Sequence, residues 1–530
     1  MLKNMLKATV FATTLTLTAG ALSVPAFAEV VYNRGSAAEP ESLDPHKTST
    51  TYEADILRDM FLGLVTENAK SEVIPGAAES WTVSDDGTVY TFKLRQGATW
   101  SDGSPVTAED FVYAFQRLQD PKTAAEYASM LQKVVNAKEV NAGTKKPEEL
   151  GVKAIDANTL EITLIAPTPY FLEVLTHQST YPVNKASVEK LGADWVKPGN
   201  LISNGAYTLA EWVPNDHIKL VKNPKFYDAA NVKIDTVNYI PTEDRSSAMK
   251  RYEAGELDSY GDLPTEQLAD LKAKFGDQIR VDPYLGIYYY AIKTDKAPWD
   301  NVELRNAVSM AIDRDFLAEK VWGNSMSPAY SMVPPGIQGY TTSPAAFADK
   351  SQIDREDEAK KILEKLGYGP DKPLKMEIRY NTSENHKNTA VAIQEQLKPL
   401  GIEATLLNTD TKTHYGHLEQ KGDYDVARAA WIADYNDPET FLEISLKADG
   451  HNYSNFNNAK FEELMKAATA AGGKPEERFK LLSEAERVLV DNVGNIPLLY
   501  YNYHNIVSPK LVGFEDNQMD RHPTRFMSKN

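Results

Sequence analysis

The 530-residue chain contains no cysteine. That absence excludes disulfides, thiolate metal sites, thiol nucleophiles and a lipid-modified N-terminal cysteine, so an exported form must rely on its own core. The short signatures of common catalysts are missing as well. There is no G-x-S-x-G, no H-E-x-x-H, no G-x-G-x-x-G and no phosphate-binding P-loop. The nine histidines are scattered, and only His414 and His417 share a helical spacing. No third ligand lies near them in sequence, so a solvated surface pair is expected there rather than a metal site. No cofactor is expected. Basic charge is in short supply: the formal charge is -18 and the pI about 5.1, a balance that disfavours nucleic acid and anionic membranes as partners.

What is present begins at the N-terminus. Lys3 and Lys7 precede an apolar stretch from Ala8 to Ala19, and Ala26-Phe27-Ala28 follows. This is the pattern of a secretory signal peptide, with cleavage expected after Ala28. The run is too short to span a bilayer. Loss of the two lysines takes the formal charge from -18 to -20. The remaining length suits two to four domains, and 42% apolar residues suffice for packed cores.

Hydrophobic periodicity indicates an α/β chain. Val89 to Arg95 alternates as a strand, and Thr107-Ala-Glu-Asp110 reads as a capping box opening a helix. Between 354 and 408 helix and strand alternate. Ala359, Ile362, Leu363 and Leu366 recur at helical spacing, with Gly367 as C-cap. Leu374, Met376, Ile378 and Tyr380 line one face of a strand. Asn381-Thr382-Ser383 offers N-cap residues for a helix carrying Val391, Ile393 and Leu397, and Ile402 to Leu407 form a second strand. Such a βαβ unit predicts a largely parallel sheet here. Tyr424 to Ile432 is another strand candidate.

One constellation could recognise a ligand. In Asp425-Val-Ala-Arg428-Ala-Ala-Trp431-Ile-Ala-Asp434-Tyr-Asn436, a cation and an anion flank an apolar run. If the run is extended, residues 428, 430, 432 and 434 share a face, and Arg428 and Asp434 stand about 20 Å apart. A zwitterionic peptide of about three to five residues, roughly 10–17 Å long, could lie beside such a strand by main-chain pairing. Asp434 would then meet the ammonium and Arg428 the carboxylate. Ordinary salt bridges are the alternative for both. His386 falls in the first turn of the helix after Ser383, where helix N-termini attract anions; a capping-region histidine is the plainer reading. The 27 tyrosines include clusters at 288–290 and 500–501, which suit either core packing or a binding cleft.

These residues resemble the periplasmic oligopeptide-binding proteins of ABC importers. The resemblance covers the whole chain after residue 28. It is strongest in Glu41 to Lys47, Ala78 to Trp81, Trp100 to Val112, Asn204-Gly-Ala-Tyr207, Val281 to Tyr284, Ile312 to Asp315, Tyr380 to Ser383 and Asp425 to Asn436. It implies a two-lobed α/β fold of the periplasmic binding protein type, with an extra domain and a hinge between the lobes. One domain would comprise 29–61, 186–285 and 502–530, a second 62–185, and a third 286–501. It also implies a monomeric receptor, not an enzyme, whose partners are short peptides and the membrane permease of an importer. By the same resemblance Asp434 binds the peptide ammonium, Arg428 and His386 serve the carboxylate end, Trp431 lies between, and Tyr127, Tyr289 and Tyr500 line the cleft. The chain also departs from well-known members. A cysteine pair of those members corresponds to Gly286 and Ile432, a carboxylate-binding lysine to Trp322, a pocket tryptophan to Thr411 and a pocket glutamate to Ser49. A receptor of the same fold for a cell-wall peptide, glycan or metal chelate is the competing expectation.

Overall fold

The computed structural model describes residues 29–530; the expected signal peptide lies outside the described residues. The chain opens with β1 (Val31–Ser36) and α1 (Thr51–Met60). A four-stranded antiparallel sheet follows, formed by β2 (Ala78–Val83), β3 (Val89–Leu94), β4 (Val152–Asp156) and β5 (Thr159–Thr163) in the order β2-β3-β5-β4. Helix α2 (Ala108–Gln119) begins where the capping box places it, with the Thr107 N–H 2.7 Å from the Asp110 carboxylate. Then come β6 (Tyr207–Val213), β7 (His217–Lys222), β8 (Thr236–Pro241), β9 (Ser259–Tyr260) and the long β10 (Ile279–Ile292).

The predicted βαβ unit is present beyond α3 (Gln352–Lys365), with Gly367 at φ +83° just past its end. Strand β11 (Leu374–Asn381), α4 (Glu384–Leu397) and β12 (Ile402–Thr409) form it, and the two strands pair in parallel from Leu374↔Ile402 to Asn381↔Thr409. Ile393 and Leu397 of α4 are buried, but Val391 is exposed and Ala390 packs in its place. Helix α5 (Thr411–Glu419), β13 (Val426–Ile432) and β14 (Asn495–Val507) complete the main elements. Strands β12-β11-β13-β10-β14-β9-β1-β8-β7-β6 make one mixed sheet, to which Met326–Pro328 adds an eleventh strand beside β14.

This sheet runs through two lobes. The first packs its main core around α1, α2 and the four-stranded sheet, with a smaller one around Tyr252, Tyr260 and Leu271. The second lobe covers both faces of its part of the sheet. Side chains alternate along a strand, so Tyr288, Tyr290 and Ile292 of β10 enter the core beneath α3 and α4. Leu285, Ile287, Tyr289 and Ala291 enter the opposite core with Phe441 and Leu482. Between the lobes the β10–β14 register breaks: it runs from Ile279↔Ile506 to Pro283↔Asn502 and resumes at Ile287↔Tyr500. The Leu285 N–H bonds instead to the Gln518 carbonyl at 3.0 Å.

The Asn204-Gly205 pair explains itself in the first lobe. Asn204 donates to and accepts from the main chain of Leu62, both at 2.9 Å, and the Gly205 N–H reaches the Met60 carbonyl at 2.8 Å. A Cβ on Gly205 would lie 2.4 Å from the Met60 carbonyl carbon. Backbone cannot yield as a flexible side chain does. Gly205→Ala should therefore cost about 3 kcal/mol, seen as a lowered urea midpoint with an unchanged m-value.

Candidate ligand-binding cleft

A cavity of about 840 Å³ lies between the lobes. Tyr127 and His177 face it from the first lobe, their rings 4.6 Å apart. Trp431, Asp434, His451 and Tyr501 face it from the second. Strand β13 presents a free edge here. On one side it pairs with β10 from Val426 to Ile432, but on the other β11 pairs only with Val426 and Ala427. The Ala433 N–H points to Leu285 of β10, whereas the Arg428 carbonyl turns the other way, to His414 Nε2 at 2.8 Å. By the alternation of an antiparallel ladder, the main-chain groups of Ala430 and Ile432 point outward with no strand partner. Both residues line the cavity.

Asp434 follows the last residue of β13 by two positions and is half-buried. Its carbonyl accepts from Arg521, yet among the described residues its carboxylate enters no hydrogen bond or ion pair. Arg428 is the complementary case. It is 6% exposed, and its guanidinium donates to Tyr415 at 2.7 Å, Tyr501 at 3.1 Å and Asn381 at 3.2 Å while lying over the Tyr288 ring. No carboxylate pairs with it among the described residues, and its Nε has no partner. Arg428 therefore sits one layer behind Tyr501. His386, in the first turn of α4, has Nδ1 3.3 Å from the Tyr288 hydroxyl. Burial, then the Arg428 cation and His414, push its pKa down to about 3. It is a neutral hydrogen-bonding group.

The structure brings Asp434, Trp431 and Tyr127 to the cavity wall and corrects two other expectations there. Tyr289 is 1% exposed and belongs to the second lobe's core, because its odd position on β10 turns it from the face that carries Tyr288. The Tyr500 hydroxyl is held by the Ser331 main chain, accepting at 3.1 Å and donating at 3.0 Å. The next residue, Tyr501, takes the cavity face. His414 is also not a surface residue: it is fully buried against the Arg428 carbonyl. Residues without a local signal complete the cleft, among them His177, His451 and Arg521. At the departures, Gly286 and Ile432 lie directly opposite each other across β10 and β13. Trp322 donates to Thr389 at 3.0 Å, 6.4 Å from the His386 ring.

Residues 72–453 match the family model "Bacterial extracellular solute-binding proteins, family 5 Middle". The chain belongs to that family of binding proteins. This family 5 chain is 41% identical over 489 residues to the periplasmic oligopeptide-binding protein OppA of Salmonella typhimurium, covering 92% of its own length and 89% of the relative's. Among solved structures it superposes on the unliganded open form of the periplasmic murein tripeptide binding protein MppA with a TM-score of 0.84 at 38% identity, covering 95% of this chain and 98% of that one. Against Haemophilus influenzae OppA in complex with RPPGFSPFR the TM-score is 0.79 at 37% identity, covering 95% and 99%. The two-lobed fold is that of these neighbours.

The electrostatics of Asp434 show what such a site costs its owner. Burial raises its pKa to about 6, against the opposing pull of Arg521 and His451. A carboxyl whose pKa is higher folded than unfolded favours the folded state at low pH, and that contribution is lost as pH rises through about 6. At pH 7.5 the ionised group destabilises the ligand-free protein. Asp434→Asn should accordingly raise ligand-free stability at pH 7.5 by about 3 kcal/mol. At pH 4 it should change little; denaturant titrations at both pH values check the difference.

Proposed function

We propose that this protein is a periplasmic receptor that captures short peptides between its lobes and delivers them to the permease of an ABC importer. The observation that carries the reading is the unpaired Asp434 carboxylate, facing the inter-lobe cavity at the end of a strand whose outer edge is free. An extended peptide pairs with Ala430 and Ile432 through its main chain, independently of its side chains. Its ammonium meets Asp434. Its carboxylate approaches Arg428 through the Tyr501 and Tyr415 hydroxyls, with neutral His386 as a further hydrogen-bonding group, while Trp431 and Tyr127 wall the space between. The names of the OppA relatives support this class of ligand, and MppA supports a cell-wall peptide as a variant of it.

In this reading residues 1–28 are removed on export and the receptor works as a monomer without catalysis. The domains are 29–61 with 186–285 and 502–530, then 62–185, then 286–501. The lobes close about the register break at residues 283–287 and the facing part of β14. Trp322, at the position of the lysine in other members, leaves Arg428 as the cation of the carboxylate end.

Two measurements test the proposal. Because peptides bind only the folded, closed form, di- to pentapeptides should raise the melting temperature, whereas free sugars and Ni²⁺ should not. A shift with sugars alone would assign the cleft to another solute. Calorimetry should also show that wild type prefers free-amine to N-acetylated tripeptides. Removing one partner of an enclosed charge pair costs roughly 3–5 kcal/mol. Asp434→Asn should therefore weaken free-amine peptides by about two to three decades and lose most of the discrimination. Equal wild-type affinity for both forms would remove Asp434 from ligand recognition.

A further inference from the structure

Arg521 lies in the C-terminal tail, 87 positions from Asp434 and 454 from Glu67, yet it touches both. Its Nη1 stands 2.8 and 2.9 Å from the two Glu67 oxygens and 3.2 Å from the Thr176 hydroxyl, all in the first lobe. Its Nη2 donates to the Asp434 carbonyl of the second lobe at 3.0 Å. The group is 6% exposed and Glu67 3%. The tail cannot drift from this position. Asn517 accepts the Arg521 N–H at 3.2 Å, donates to its carbonyl at 2.9 Å, and receives the Ser71 hydroxyl of the first lobe at 2.6 Å. One guanidinium thus spans the lobes at the residue that has no side-chain partner of its own.

We propose that Arg521 is the positioning residue for ligand-ammonium recognition, pinning the Asp434 main chain to Glu67 across the cleft and setting a cation beside the Asp434 carboxylate. The inference rests on the peptide-receptor reading. A planar guanidinium suits the task because its separate N–H groups hold a carboxylate and a carbonyl at once, which a lysine ammonium on a flexible stem does less well. The charged and titratable groups facing Asp434 are Arg521 from the tail, His451 from the second lobe and Tyr127 from the first. Those facing Arg521 are Glu67, Tyr181 and Tyr284, together with Glu173, whose carboxyl burial and Glu67 push up to about 8, and His177, which burial holds neutral. Burial drives Asp434 towards its neutral form, and Arg521 is the largest opposing influence. Glu67 in turn offsets the cation, so the Arg521–Glu67 pair tunes how readily Asp434 ionises to accept an ammonium.

The test is calorimetry of trialanine and N-acetyl-trialanine between pH 4.5 and 8 with the full chain. Wild-type affinity for trialanine should rise with pH to a plateau above about 6, and that for the acetylated peptide should stay low and flat. Arg521→Gln should move the midpoint of the rise up by about one pH unit, and Glu67→Gln should move it down, since the cation is then uncompensated. At pH 6 Arg521→Gln should bind trialanine about tenfold more weakly, with the acetylated peptide unaffected. Arg521→Lys keeps the charge but not both contacts, so it should restore the midpoint without restoring full affinity. If Arg521→Gln does not fold, Glu67→Gln and Arg521→Lys decide the matter. Midpoints that stay put, or that move in the same direction in both neutral variants, overturn the role of Arg521 while leaving the receptor reading intact. A wild type that does not distinguish the two peptides overturns both.

Discussion

Two lobes share one sheet through a pair of long strands, and most of the molecule's behaviour follows from how β10 meets β14. The two pair from Ile279 to Pro283 and again from Ile287, with a second, one-residue shift between Tyr288 and Tyr289; between Pro283 and Ile287 they do not pair. A continuous ladder would weld the lobes into one slab. The break interrupts the β10–β14 ladder, and the inter-lobe cavity opens beside it, with Tyr284 and Asn502 on its wall. The second lobe's strands remain rigid because both of their faces are covered. The cleft is therefore bounded by the free edge of β13 on one side and by the first lobe on the other.

Against that frame the unmatched charges stand out. Several buried ions elsewhere in the protein are paired, and others are held by main-chain and hydroxyl groups. Arg478 contacts Asp437 twice at 2.7 Å and Glu439 at 2.9 Å, and Arg117 holds Asp44 at 2.6 and 2.9 Å. Arg314, without an acid, satisfies its donors on four main-chain carbonyls and the Ser309 hydroxyl. Asp434 and Arg428 lie along one strand edge, and among the described residues neither forms an ion pair. Burying a charge without a partner of opposite charge is unfavourable. In the proposed reading, a peptide's ammonium and carboxylate supply the opposite charges. In that reading, too, main-chain groups along the free edge supply what lies between, and the site reads a peptide's ends and backbone more than its side chains.

Much of the local architecture was legible in the chain. The β11–α4–β12 unit followed from a switch of hydrophobic period, and the Thr107–Asp110 box and Gly367 marked helix ends as their chemistry requires. The misreadings have a common origin. Val391 lies on α4 as expected but meets solvent, because two positions turn it to the side of the helix away from Ile393. His414 looks polar and sequence-isolated, yet β13 lies against its helix and receives its ring. Tyr289 and Tyr500 belong to tyrosine clusters whose members point to opposite faces, and sequence alone does not say which face is the cleft.

The order of residues thus determined the secondary elements, the export pattern and the strand whose flanking charges suit a zwitterionic ligand, because each depends on neighbours within a turn or two. It also placed Asp434, Trp431 and Tyr127 among the candidates. Only the tertiary structure decided that Tyr501 rather than Tyr500 faces the cavity, that Arg428 lies behind it in a cage of hydroxyls, and that β13 has one free edge. Arg521 meets Glu67 across 454 positions, and no local periodicity carries such a contact. Strand register and lobe packing bring those groups together, and these are settled by cooperative burial over the whole chain rather than by any short segment of it.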